Sequence, residues 1–232
     1  MAVPALLLQG FPLLRALPEA TLAALAAQAA DLVFAKRAVV LQKGPPTPSL
    51  CLLAEGRLQA VDFTSDGREV GLYFINPGDY VGELSVIDGQ EQPEFIISLA
   101  RSRIITLPRN AVRQALFATP ATAELVAMRL TARLRAQSAQ RTILGLTNPL
   151  QKICAQLQLL LVTTHAAQNR INNAPTHQEI AIMVNTSRET VTRVFQVLQA
   201  QGLVQREGND LILGDAQQIA QLAQGNPEPP AS

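Results

Sequence analysis

The sequence predicts an α+β protein: an N-terminal β-barrel or jelly roll, a long helix, and a C-terminal winged helix-turn-helix. Three observations carry this. Short apolar runs separated by Gly, Pro and Asp turns follow one another from Asp31 to about Leu107. A helical pattern covers Pro120 to about Leu146. The stretch Thr176 to Gln201 then reads as two helices around a turn, with two short strands behind it. The corresponding divisions are 1–119, 120–146 and 147–225, with 226–232 as a disordered tail.

Before the strands, Phe11 to Ala30 reads as helical, with Pro18 and Glu19 opening a helix whose apolar side holds Leu22, Leu25 and Ala26. The strand candidates are Val33, Val39 to Leu41, Leu50 to Leu53, Leu58 to Val61, Val70 to Phe74, Phe95 to Leu99 and Ile104 to Leu107. Lys43-Gly44-Pro45-Pro46, Ala54-Glu55-Gly56, Ser65-Asp66-Gly67 and Asn76-Pro77-Gly78-Asp79 punctuate them.

In the long helix, Leu130, Leu134, Gln137, Arg141 and Leu144 step by four and three, a coiled-coil seam with a polar centre. Arg129, Arg133, Arg135 and Arg141 leave few faces that could be fully buried, so a paired helix at a two-fold axis is expected. Thr147-Asn148-Pro149 ends it as a hinge. Leu150, Ile153, Cys154, Leu157 and Leu160 mark an amphipathic helix, and Thr163 to Pro175 is polar and loop-like. After the hairpin, Leu203-Val204 and Leu211 to Leu213 flank a Gly208-Asn209 turn, and Asp215 to Ala223 forms a last helix.

Composition narrows the function classes. The chain has 232 residues, 48% of them apolar but only 4% aromatic, so Leu, Val, Ile and Ala must fill its cores. No run of about 18 apolar residues suggests a membrane span. The apolar start lacks a basic segment and a cleavage signal, so a cytoplasmic location is expected. Cys51 and Cys154 are far apart and read as reduced and buried. His165 and His177 have no metal-ligand spacing and no nearby nucleophile, and no phosphate-cradling glycine loop appears, which argues against catalysis. The net charge of +1 does not advertise a polyanion partner. From Thr147 onward the five cations (Lys152, Arg170, Arg188, Arg193, Arg206) face six acids. Placement of the acids away from a DNA face, and doubling of contacts in a dimer, must therefore compensate, and the salt dependence should be modest.

The helical hairpin carries the most specific chemistry. Thr176 and Glu179 have the spacing of a capping box, Asn185 stands where a left-handed residue is wanted, and Ser187 caps the second helix. Val191, Val194, Phe195 and Leu198 form its inward stripe, while Arg188, Glu189, Thr192 and Arg193 lie on the other side. Arg matches the two acceptors of a guanine edge and Glu the cytosine amino group. Ser187 and Thr190 are placed to donate to phosphate, as is Thr176, and His177 faces phosphate or solvent. Spacing alone leaves an ordinary hairpin with a solvated face equally open.

Ser187-Arg188-Glu189-Thr190-Val191-Thr192-Arg193, preceded by Thr176-His177-Gln178-Glu179-Ile180-Ala181, resembles the recognition hairpin of the CRP/FNR superfamily of transcription regulators. That resemblance implies base reading of a TGTGA-like half-site by Arg188, Glu189 and Arg193, with Asn185 where the family has Gly. Gly44, Leu50 to Leu53 and Gly56 resemble the first hairpins of the cyclic-nucleotide-binding fold, and Pro77 to Leu84 its loop into the phosphate-binding cassette. The likeness runs from about Leu13 to about Leu213. It implies homodimerisation through the long helix, RNA polymerase as a partner alongside double-stranded DNA, and an effector pocket lined by Gly82, Glu83, Leu84 and Gln92, with Gln137 and Ser138 near the partner's pocket.

The cassette departs from the pattern of cyclic-AMP-binding members. Gln92-Pro93 stands where an Arg-Ser or Arg-Thr pair is expected, and Asp88, Glu91 and Glu94 add negative charge. Gln has no charge, and Pro has neither a hydroxyl nor an N–H. Tight cyclic AMP binding is therefore not expected, and any effector is another small molecule. Glu83 either contacts a ribose hydroxyl or caps the turn. The remaining rival is a ligand-sensing barrel that acts on a protein partner instead of DNA.

Overall fold

The computed structural model describes residues 3–67, 69–163 and 169–225. Its internal contacts divide the chain into two compact units, Met1–Thr131 and Ala132–Ser232.

The first unit opens with α1 (Ala5–Gln9) and α2 (Glu19–Gln28), followed by β1 (Ala30–Phe34), β2 (Val39–Leu41), β3 (Ser49–Glu55), β4 (Leu58–Phe63), β5 (Glu69–Ile75) and β6 (Tyr80–Val81). Then come α3 (Glu83–Asp88), β7 (Phe95–Ser98), β8 (Ser102–Pro108), α4 (Arg109–Leu116) and the start of α5 (Pro120–Gly145). The strands make two four-stranded sheets, ordered β1-β8-β3-β6 and β2-β7-β4-β5, with antiparallel pairing throughout. This is the predicted jelly roll.

The unbroken apolar run of β3 follows from burial on both faces. Cys51 and Leu53 join Leu58, Ile75, Ile96 and Ile104 between the sheets. Leu50 and Leu52 point the other way, into a layer with Leu8, Leu22, Leu25, Val112 and Leu116 from the helices and Leu14 from the turns between α1 and α2. The β3–β4 turn needs glycine at 56: φ is +94°, and a Cβ there would lie 2.3 Å from Ser102 Oγ and 2.6 Å from the Arg101 carbonyl.

Several predicted boundaries are corrected. Phe11 to Ala30 is not continuous helix: Phe11 to Leu17 forms turns, and Ala30 already pairs with Thr106 in the sheet. Pro18 sets the start of α2. Leu99 lies beyond the end of β7. Arg129 is not a free helix-surface charge. It pairs with Asp79 at 2.6 Å and sits 5.4 Å from the Tyr80 ring centroid, tying the start of α5 to the loop before β6.

The second unit holds the end of α5, α6 (Pro149–Thr163), β9 (Arg170–Ile171), α7 (His177–Met183), α8 (Arg188–Ala200), β10 (Val204–Glu207), β11 (Asp210–Leu213) and α9 (Ala216–Gln224). The stretch expected to be wholly loop thus contributes β9, which completes a three-stranded sheet of order β10-β11-β9. Asn148 caps α6 through Leu150 N–H, with Pro149 at its first position. Ile153, Cys154, Leu157 and Leu160 are buried as the pattern required, while Leu150 is half-buried. Gln156 is fully buried too, with neither side-chain nitrogen nor oxygen partnered. No helix among the described residues is long and apolar enough to cross a membrane. His165 and the tail expected at 226–232 lie outside the described residues.

Candidate nucleic-acid interface

The hairpin is fixed by its caps. Thr176 Oγ1 accepts from Glu179 N–H at 3.3 Å, and the Glu179 carboxylate accepts from Thr176 N–H at 2.8 Å, closing the capping box of α7. Asn185 takes φ +51°, and Thr186 N–H reaches back to the Ala181 carbonyl at 2.9 Å, the six-to-one bond of a Schellman stop. Gln140 Nε2 and Lys152 Nζ satisfy the carbonyls of Met183 and Val184 at 2.8 and 3.4 Å. Ser187 Oγ then accepts from Thr190 N–H at 3.1 Å and opens α8. Val191, Phe195 and Leu198 are buried with Ile180 and Met183, and Val194 is half-buried.

In the first two turns of α8, Arg188, Glu189 and Arg193 are all exposed. Neither arginine has a carboxylate partner among the described residues. Glu189's own backbone N–H and the Ser187 hydroxyl hold its carboxyl below the ordinary glutamate value, so it is ionised at neutral pH.

Placement of the acids resolves the weak charge balance. Asp210 and Glu207 are engaged by Arg170, at 2.8 and 3.1 Å. Asp215 caps α9 through the N–H groups of Gln217 and Gln218. Glu179 is held in its capping box. Arg188, Arg193 and Arg206 are in no ion pair among the described residues.

The expected phosphate contacts are already busy. Thr176 and Ser187 act as caps, and the Ser187 and Thr190 hydroxyls lie 3.0 Å apart. The Thr192 hydroxyl donates to the Arg188 carbonyl at 2.9 Å, so its oxygen accepts from His177 Nδ1–H at 3.0 Å. The neutral ring therefore carries its proton on Nδ1 and has an acceptor at Nε2. The ring also packs on Phe195, centroids 4.5 Å apart. Burial, then Arg206 and Arg188 facing it, holds the imidazole below its ordinary pKa.

The predicted effector-pocket residues divide between the units. Gly82, with φ +89°, precedes α3, and a Cβ there would come within 3.0 Å of the Ser49 carbonyl and 3.1 Å of Thr47 Cγ2. Glu83 is 1% exposed, Gln92 3%, and Leu84 half-buried. Gln92 bridges to Gly44 by two 3.0 Å backbone bonds and gives Nε2 to the Glu94 carbonyl, while its Oε1 has no partner. Sequence reasoning placed Glu94 nearby but not its burial: it is 6% exposed and accepts from the Tyr73 hydroxyl. Gln137 and Ser138 lie on α5 within the second unit, both exposed.

Comparison with known proteins places both units. Residues 31–119 match the cyclic nucleotide-binding domain family, and residues 151–222 match the Crp-like helix-turn-helix domain family. Together the two matches take in more than half of the chain. The chain belongs to the CRP/FNR family of transcription regulators. A CRP-like cAMP-activated global transcriptional regulator of Mycobacterium tuberculosis is 27% identical over 205 residues, covering 87% of this chain and 92% of its own. The cAMP-activated global transcriptional regulator CRP of Escherichia coli is 26% identical over 196 residues, covering 78% and 87%. FixK2 from Bradyrhizobium japonicum shares the fold, with a TM-score of 0.72 at 18% identity, over 84% of this chain and 96% of its own. As a member of this family the chain is a DNA-binding regulator and not an enzyme.

Proposed function

We propose that the chain acts in the cytoplasm as a homodimer that reads a palindrome of TGTGA-like half-sites, with Arg188, Glu189 and Arg193 on the base edges. The observation that carries this is the make-up of α8: Val191, Phe195 and Leu198 are buried, while two arginines in no ion pair and an ionised carboxylate stand exposed in its first two turns. A helix of this kind, entered through its N-terminal turns, fits a major groove. Thr176, His177, Ser187 and Thr190 flank it on the phosphate side.

Pairing is supported by α5, which leaves Met128 66% and Leu134 68% exposed, with Leu125 and Leu144 also open. A second copy of the helix would cover that apolar surface and bring two α8 helices about 34 Å apart, one DNA turn. RNA polymerase is the downstream partner that the family implies.

The two relatives are described as cAMP-activated. The cassette here supports a different effector or none. Gln92 stands where the phosphate-binding Arg is wanted, and its side chain gives Nε2 to the Glu94 carbonyl and offers no positive charge. Calorimetry with cyclic AMP is expected to give no binding in the micromolar range; micromolar or tighter binding overturns this reading of the pocket.

The decisive experiment is binding-site selection from random duplex DNA, with and without a cell metabolite extract. Enrichment of a TGTGA-like palindrome is expected. A monomeric protein that enriches no sequence in either arm overturns the proposal.

A further inference from the structure

The C-terminal end of α7 is closed by side chains from outside the hairpin. The last carbonyls of a helix have no partner within it. Here Asn185 turns left-handed at φ +51°, and the N–H groups of Val184 and Thr186 reach back to the carbonyls of Ile180 and Ala181. The carbonyls of Met183 and Val184 are left over, on two buried residues. Gln140 Nε2, from α5, meets the first at 2.8 Å, and Lys152 Nζ, from α6, meets the second at 3.4 Å. At those lengths the Gln140 bond is the firmer of the two.

Gln140 lies before the break that separates α5 from α6, and Met183 lies well beyond it. The end of α5 belongs to the same compact unit as the hairpin, and Ile143, on the Gln140 face of the helix, is buried. The Gln140 bond therefore spans Thr147-Asn148-Pro149 and ties the hairpin to α5 directly, so that break is not a free hinge. Gln140 makes this bond at a cost: its Oε1 is buried with no partner among the described residues. Packing alone would favour an apolar side chain there. Ser187 caps α8 shortly after Met183, and Arg188, Glu189 and Arg193 stay exposed in this pose.

We propose that Gln140 is a positioning residue for DNA recognition. Through the Met183 carbonyl it fixes the angle of the hairpin to α5, and so the separation of the two α8 helices in a pair joined along α5. This rests on the paired, DNA-reading arrangement proposed above and names the residue that sets its half-site spacing. Gln140 itself touches neither base nor phosphate in this role. Without the bond the hairpin samples other angles, and the fraction poised for a palindrome of one spacing falls.

The test measures binding of the intact protein by fluorescence anisotropy. The duplexes are the selected palindrome, palindromes with the halves one base pair closer or further apart, and a single half-site. Gln140→Leu keeps the bulk and loses the donor, and Gln140→Asn keeps the amide but falls short. Each is expected to weaken the selected palindrome about tenfold and to leave the single half-site unchanged, so the preference for one spacing shrinks by a similar factor. Gln140→Lys, which keeps an N–H donor of sufficient reach, is expected to restore the preference. Leu and Asn variants that keep the full spacing preference overturn the proposal. Equal weakening of every duplex, half-site included, or a lowered melting temperature with the preference intact, would make Gln140 an ordinary packing residue, which also overturns it. Tighter binding by either variant would mean that the bond holds the hairpin away from DNA, and overturns it as well. A wild type that binds no duplex defeats the DNA reading, and one that binds every spacing alike defeats the pairing. If the wild type prefers one spacing and the Leu and Asn variants do too, the role of Gln140 alone has failed.

Discussion

The N-terminal turn of α8 and that of α3 make an instructive pair. Each helix follows a left-handed residue, Asn185 at φ +51° before α8 and Gly82 at φ +89° before α3. Their electrical characters are opposite. The start of α8 shows two uncompensated guanidiniums to solvent, whereas α3 buries Glu83 beside a cassette that also buries Gln92 and Glu94. The left-handed residue is itself the cap of α3, whereas α8 is capped by extended Ser187 two residues after Asn185. The two helix starts therefore differ both in their caps and in which charged groups the packing exposes.

Four measurements can break or sharpen this contrast. The largest effect should come from the buried side of α8: Phe195→Ala is expected to cost about 3–5 kcal/mol of stability, seen as an early thermal transition. Arg188→Ala, at the exposed start of the same helix, should leave that transition in place. It should weaken binding to the selected site by about 1–3 kcal/mol and relax one guanine position. If it weakens all duplexes equally, Arg188 is a phosphate contact and not a base reader. Gln156→Met removes a buried amide with no partner and keeps its volume, so a stabilisation of about 1–2 kcal/mol is expected from denaturant melts. A loss of stability there would mean that the amide is satisfied after all.

The smallest effect is the pH dependence at His177, and its two signs differ. The folded pKa lies below the ordinary 6.5. The neutral ring therefore contributes stability above about pH 6.5, which is lost as pH falls through the folded value. DNA binding should move the other way. The neutral ring offers only an acceptor at Nε2, whereas the imidazolium can donate to phosphate, so affinity is expected to rise modestly as pH falls below about 6.5. His177→Gln should flatten both trends. An affinity that falls with pH alongside stability would place His177 away from the backbone.

The jelly roll and the hairpin were legible because their signals are local and redundant. Three separate cues, at Thr176 with Glu179, at Asn185 and at Ser187, fix the hairpin, and each lies within a few residues of the turn it controls. What escaped notice has no local signature. β6 and β9 span two residues each, too short to show any alternation. α3 is only six residues long between Gly82 and Gly89, and α4 only eight residues long behind Pro108. The burial of Glu94 and Gln156 is decided by the elements packed over them, and nothing in their own neighbourhood announces it. The bond from Arg206 to the Pro175 carbonyl, 31 positions earlier, and the pairing of Glu207 with Arg170 are likewise invisible along the chain. The expected base readers were legible as a motif, while their freedom from ion pairs depended on where the described acids came to rest.

Both cysteines are buried, and burial pushes each thiol up to about 12. At neutral pH both therefore stay thiols, and thiolates are what peroxides and alkylating agents attack. Neither sulfur is placed to report oxidative stress, so promoter occupancy should be indifferent to the redox state of its surroundings. The purified protein should also keep its behaviour in air without added reductant.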